Sequence, residues 1–355
     1  MRIQTALTRM VGIEHPVVQT GMGWVAGARL VSATANAGGL GILAAATMTI
    51  DELATAITKV KAATDRPFGV NIRADAADAG DRVDLMIREG VKVASFALAP
   101  NQELIARLKE AGSVVIPSIG AAKHARKVAA WGADAVIVQG GEGGGHTGPV
   151  ATTLLLPSVL DVLEGTDVAV VAAGGFFDGR GLAAALSYGA AGVAMGTRFL
   201  LTTDSTVPDS VKQRYLETGL DGTVVSTRVD GMPHRVLRTG LVEKLESGSP
   251  VRGFTAAILN AAKFKKMSQM SWTSMIRDGL AMRHGKDLTW SQVIMAANTP
   301  MLLKAGLVDG NNDAGVLASG QATGIIEDLP TCEQLIDGIV AEAIKHLQSA
   351  TALID

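Results

Sequence analysis

The stretch DVAVVAAGGFFDGRGLAAALSYGAAGVAMGTRF, residues 167–199, carries the fold in miniature. Its apolar runs 167–173 and 191–196 have the length and the small or branched side chains of buried strands. Glycines follow each run, and Gly179 to Gly181 open a helix between them. Strand, glycine turn, helix and strand make a parallel βαβ unit. Working back toward the N-terminus, the same kind of run recurs as VVQT (17–20), LGILAA (40–45), FGVNI (68–72), VKVASFA (91–97), SVVIPS (113–118) and ADAVIVQ (133–139). Amphipathic segments such as 50–63, 81–89, 101–111 and 121–131 lie between them. Eight βα units, spaced roughly 20–30 residues apart, predict an α/β fold, a (β/α)8 TIM barrel. An open doubly wound sheet is the alternative.

Composition sets the outer limits. The chain has 355 residues, of which 48% are hydrophobic and 19% charged, enough for a large core and too apolar for disorder. A formal net charge of −2 gives no compensation for a phosphate backbone, so no nucleic-acid partner is expected. Cys332 is the single cysteine, which rules out a disulfide framework and suits a reducing, cytoplasmic compartment. The first residues lack the apolar core of a signal peptide, and the strongest apolar stretch, 168–173, is too short for a bilayer. A soluble protein with no membrane partner is expected.

After the eighth strand the rhythm breaks. From about Thr203 to Asp313 the chain shows helical patterns, several Met and Trp residues and no clear strand alternation. The expected organisation is a cofactor-binding barrel over 1–202, an inserted helical substrate or lid domain over 203–314, and a closing segment over 315–355. In that last segment, 333–348 carries Leu335, Ile336, Ile339, Val340, Ala343 and Ile344 at helical spacing.

Barrel active sites lie at the C-terminal ends of the strands. Here those ends read Gln19-Thr20-Gly21-Met22, Asn71, Ser118, Gln139, Gly174-Gly175 and Gly196-Thr197. Any one of them alone reads as a cap or a turn. Such barrels hold phosphate on the loops after strands seven and eight, where Gly174, Gly175, Gly196 and Thr197 would supply N–H groups and a hydroxyl. A phosphorylated cofactor or substrate is implied. No G-x-x-x-x-G-K-[ST] loop is present, which argues against a nucleoside triphosphatase. Glu142 and His146 are the nearest His–carboxylate pair by sequence, and no metal is expected.

The loop VQGGEGGGHTG (138–148) surrounds one imidazole with glycines that weaken structure unless a ligand or neighbour orders them. It reads either as a flexible surface loop or as backbone brought close to a ligand. His15, His124, His234, His284 and His346 follow no barrel strand, and surface or structural roles are expected for them.

The motifs HPVVQTGMGW (15–24), NAGGLGIL (36–43), PFGVNI (67–72), VQGGEGGGHTG, TTLLLP (152–157), AAGGFFDGRGLAAALSYGAAGVAMGTRFL (172–200) and SGQATGII (319–326) together resemble the nitronate monooxygenase (2-nitropropane dioxygenase) family. That family includes FMN-dependent enoyl-acyl-carrier-protein reductases, and the likeness spans almost the whole chain. The resemblance implies FMN as cofactor, its phosphate on Gly174, Gly175, Gly196 and Thr197 and its ring contacted from Gly21, Met22, Asn71 and Gln139. Gly144, Gly145, Ala173 and Met195 complete the implied cofactor positions, and His146 is the implied catalytic residue. Two departures stand out: Gly-Gly-His-Thr-Gly replaces the Gly-Gly-His-Arg-Gly often seen, and Ala194 stands where Gln often precedes Met-Gly-Thr. The nearest branch resembled acts on CoA thioesters in the breakdown of the last steroid rings.

With a flavin present, an imidazole that titrates near pH 6.5 is suited to handle the α-proton of a thioester or ketone while hydride moves at the β-carbon. Flanking glycine N–H groups could hydrogen-bond a developing enolate. The leading expectation is an FMN-dependent oxidoreductase acting on a CoA thioester or ring ketone. A nitronate monooxygenase reducing O2 is the alternative enzyme, and a cofactor-binding scaffold the non-enzymatic one. NAD(P)H or O2 is the expected electron partner, and a homo-oligomer is admitted. The basic run 252–286 contains Lys263, Lys265, Lys266 and Arg277, which read as a solvated helix face or as an anchor for the 3′-phospho-ADP end of coenzyme A. Met267, Met270, Trp272 and Met275 in the same run read as core or as a wall for an apolar acyl group.

Overall fold

The structure, a computed structural model, describes residues 2–97, 101–247, 290–311 and 315–354, and only the backbone of 290–298. Eight parallel strands close into a barrel: β1 (Val17–Gln19), β2 (Leu40–Ala44), β3 (Gly69–Arg73), β4 (Val93–Ala97), β5 (Val114–Ile119), β6 (Ala135–Gln139), β8 (Ala169–Ala173) and β9 (Gly192–Met195). β7 (Gly145–His146) stands apart, within the glycine loop. β1 pairs with both β2 and β9, so the sheet has no free edge. Each apolar run of the sequence therefore supplies one stave, in chain order.

Outside the staves lie α2 (Ala28–Asn36), α3 (Ile50–Ala63), α4 (Ala79–Arg88), α5 (Gln102–Glu110), α6 (Ala122–Ala130), α7 (Thr152–Leu163) and α8 (Gly179–Tyr188). Local sequence sets their ends. Thr49 and Glu52 form a reciprocal capping box on α3, a cap worth about 1 kcal/mol. The faces they bury, such as Leu53, Ile57 and Val60 of α3, repeat at helical spacing against the sheet. Burying each such side chain contributes roughly 1.5–3 kcal/mol.

The barrel interior is filled by Val18, Leu40, Ile42, Val93, Ile116, Ile137 and Val171. Leu7 and Val11 of α1 (Ala6–Val11) join that cluster from the N-terminal end, where the Thr5 hydroxyl donates to the Ala191 carbonyl at 2.6 Å. With that end stoppered, the C-terminal mouth is the end available to a ligand.

Beyond β9 come a single turn, α9 (Thr197–Leu200), then α10 (Asp209–Leu216), β10 (Thr223–Ser226), β11 (His234–Leu237), α11 (Gly240–Ser247), α12 (Trp290–Leu307) and α13 (Cys332–Thr351). The expectation of an insertion without strands is corrected here. β10 and β11 form an antiparallel pair, and β11 pairs in turn with β7, giving a three-stranded sheet over the mouth. TVVS and HRVL are only four residues each, too short for alternation to register, and the second partner of HRVL is a glycine loop distant in sequence. α13 packs into the helical ring between α8 and α2. A methyl at Gly179 would stand 2.5 Å from the Ile339 carbonyl oxygen, and the Thr34 hydroxyl reaches Cys332 Sγ at 3.7 Å. Among the described residues, no helix is long and apolar enough to cross a membrane.

Candidate active site at the barrel mouth

Residues from several barrel strands and the loops after them meet at one rim. Asn71, the third residue of β3, is buried and donates to Ser95 Oγ at 3.1 Å. Gly21 passes directly over it, since a methyl there would stand 2.6 Å from Asn71 Cβ. Met22 follows, and its Sδ would lie 3.4 Å from a methyl on Gly196. The structure thus brings Gly21, Met22, Asn71 and Gly196 to one part of the rim. Ala173 and Met195 are buried and contribute backbone: their carbonyls accept from Gly140 N at 3.0 Å and Thr20 N at 3.2 Å.

Gly174 and Gly175 have φ of +94° and +85°, a left-handed backbone that L side chains rarely adopt. Among the described residues, no protein group accepts from the N–H of Gly175, Gly196 or Thr197. Unmade N–H bonds on a glycine rim suit an anion such as a phosphate. The α8 N-terminus is already satisfied: Asp178 Oδ1 accepts from Gly181 N at 2.9 Å and Glu342 Oε2 from Gly179 N at 2.7 Å. A phosphate here would rest on the two strand-end loops rather than on α8.

The glycine loop is tightly held. Gln139 turns its amide into the loop, donating to the His146 carbonyl at 2.8 Å. Glu142 does not face His146. Its carboxylate accepts from Thr152 N at 3.0 Å and Thr152 Oγ1 at 2.7 Å, capping α7. Arg235 grips the other side, with Nη2 donating to the Gly141 carbonyl at 2.9 Å and Nη1 to Thr223 Oγ1 at 2.9 Å. The late SGQATG segment also reaches the rim, where Gly320 N donates to Thr197 Oγ1 at 2.8 Å and Gln321 N to the Glu142 carbonyl at 2.9 Å.

His146 and His234 are cross-strand partners in the β7–β11 pair, with ring centroids 4.7 Å apart. His146 Nε2 lies 2.6 Å and His234 Nδ1 3.0 Å from the same oxygen, Asp230 Oδ2. The His146 side chain is 49% exposed, whereas Asp230 and His234 are 4% and 3% exposed. Burial pushes the Asp230 carboxyl up. Hydrogen bonds from the two imidazoles outweigh that and hold it far below the usual carboxylate range.

His234, expected in a surface or structural role, is buried and lies beside the loop imidazole. One expectation is corrected by this cluster. A His–carboxylate set does exist at the mouth, its donor atoms within 4.8 Å of one another, although hydrogen bonding already engages the three. Reading along strand ends missed Asp230 and His234 because neither follows a barrel strand; the short spacing in Asp230-Gly-Met-Pro-His234 was the available signal. Lys263, Lys265, Lys266 and Arg277 lie outside the described residues, as do Met267, Met270, Trp272 and Met275.

The closed barrel thus carries at its mouth a glycine rim and a half-exposed imidazole backed by a buried carboxylate. The chain belongs to the nitronate monooxygenase family, whose model matches residues 4–342, and the cofactor class of that family is a flavin. It is 82% identical, over the full length of both chains, to the (3aS,4S,5R,7aS)-5-hydroxy-7a-methyl-1-oxo-octahydro-1H-indene-4-carboxyl-CoA dehydrogenase of Mycobacterium tuberculosis. Identity to the protein of the same description from Rhodococcus jostii is 72%, covering 99% of each chain. Among solved structures, FabK from Thermotoga maritima matches with a TM-score of 0.82 at 32% identity, covering 99% of this chain and all of the other.

Proposed function

We propose that this protein is an FMN-dependent dehydrogenase of a ring-carboxyl CoA thioester, with His146 as the general base. One observation carries the reading: the half-exposed imidazole stands at the mouth on a loop held by Gln139 and Arg235, with a buried carboxylate behind it. The high identity to two proteins described as carboxyl-CoA dehydrogenases supports the substrate class.

Bound at this mouth, FMN would accept the hydride lost by the β-carbon. The chain supplies the rest. Gly174, Gly175, Gly196 and Thr197 would hold the phosphate, while Gly21, Met22 and Asn71 would border the ring. His146 would take the α-proton as the Cα–Cβ double bond forms, so one proton and one hydride leave the substrate together. Negative charge developing on the thioester oxygen would meet the loop N–H groups near Gly144 and Gly145. Segment 203–314 would cover the acyl group, and a cytoplasmic location suits the single buried thiol of Cys332.

Stopped-flow absorbance of the flavin tests this. Purified protein should release FMN on denaturation, and His146→Asn should retain it. The variant should slow flavin reduction by the thioester about a hundredfold or more, while reduction by dithionite stays unchanged. Wild-type speed with the thioester in that variant, or release of FAD alone, would overturn the reading.

A further inference from the structure

Two imidazoles and a single carboxylate oxygen define a proton arrangement. Asp230 Oδ1 accepts from Met232 N at 3.1 Å, so Oδ2 is the oxygen left for the two rings. A carboxylate only accepts, and each ring nitrogen facing it must carry its proton there. For His234 the proton is then on Nδ1. Its Nε2 is buried with no partner among the described residues, so a proton there would be an unpaired buried donor. For His146 the same rule puts the proton on Nε2 and leaves the lone pair on Nδ1 of this half-exposed side chain.

We infer that Asp230 is a positioning residue that fixes His146 as the Nε2–H tautomer and makes Nδ1 the atom that accepts the substrate proton, with His234 holding the carboxylate from behind. The role of Nδ1 rests on the proposed dehydrogenation; the tautomer does not. The geometry is built into the fold, because the β7–β11 register sets His146 opposite His234 and the 227–233 turn brings Asp230 to both. Nearby charges are engaged elsewhere. Arg235 is on the Gly141 carbonyl, Glu142 on Thr152, and Lys304 over the Trp24 ring at 5.9 Å. Among the described residues, Asp230 and His234 are thus the titratable groups in contact with the His146 ring. The depressed Asp230 pKa agrees with an ionised acceptor.

Asp230→Asn separates positioning from packing. The Met232 N–H would keep the amide oxygen on its side, turning the amide N–H toward the imidazoles. His146 Nε2 must then accept, and the proton moves to Nδ1. Histidine-labelled holoprotein studied by 15N–1H correlation at pH 8 should show Nε2–H on His146 and Nδ1–H on His234, with His146 switched to Nδ1–H in the variant. Its thioester half-reaction should fall at least a hundredfold; loss of the correct tautomer in a Ser-His-Asp triad costs about ten-thousandfold. The acid limb of the rate profile should move to lower pH, since removing the anion weakens the base. Asp230→Glu should restore part of the rate. An Nδ1–H tautomer of His146 in the wild type, or a variant of near-wild-type rate with an unmoved acid limb, would overturn the inference. If the variant loses its cofactor, the wild-type tautomer alone decides. A fully active His146→Asn would remove the proposed dehydrogenation while leaving the tautomer as measured.

Discussion

Gly144 rests directly on Gly320: a methyl at 144 would stand 2.5 Å from the Gly320 nitrogen and equally close to the Ser319 carbonyl carbon. Both obstacles are backbone, and backbone held by the Gly320–Thr197 and Gln321–Glu142 hydrogen bonds cannot yield as a side-chain tip can. Gly144→Ala should therefore separate the glycine loop from the SGQATG segment. The expected cost is about 1–3 kcal/mol of stability together with weaker flavin retention. Thermal melting and flavin content after gel filtration check this. An unchanged melting temperature with full flavin would mean the two segments can part freely.

The Asp230 carboxylate should also shape acid stability. A carboxyl whose folded pKa is depressed stabilises the fold fully above its unfolded value near 4, and that contribution fades as pH falls below it. The hydrogen bonds from His146 and His234 set this direction against the opposing effect of burial. Urea unfolding should show Asp230→Asn less stable than wild type by on the order of 2–3 kcal/mol at pH 7, with the gap narrowing at pH 3. A gap constant across that range would mean the carboxylate gains nothing from its two imidazoles.

The staves and glycine rims were legible because each depends on neighbours in sequence. LGILAA and DVAVVAA are continuous apolar runs, and glycines mark where backbone must turn or approach closely. α3 could be bounded correctly because its apolar spacing lies within the fourteen residues of the helix and its capping box begins at the residue just before them. The partners of His146 were hidden for the opposite reason. Asp230-Gly231 and HRVL carry no clear signal within a stretch that reads as helical, until the register with Gly145 and His146 sets them over the mouth. No periodicity within either segment encodes that pairing, which is fixed by contacts across 84 residues of chain.

The basic run 252–286 offers the sharpest test of how a CoA thioester would be recognised. Lys263, Lys265 and Lys266 crowd into four positions, and Asp278 is the sole acid of the run. A solvated face would use such charges only for solubility, so their reversal would leave ligand affinity alone. An anchor for the 3′-phospho-ADP end would instead lose long-range attraction that salt screens. Reversing the three lysines to Glu should weaken CoA thioester binding about tenfold or more at low salt and flatten its salt dependence, with flavin content unchanged. The corresponding pantetheine thioester lacks those phosphates and should bind variant and wild type alike. Equal loss for both ligands would mean the substitutions disturb the acyl site or the fold. Unaltered CoA affinity would return the run to the solvated-face reading.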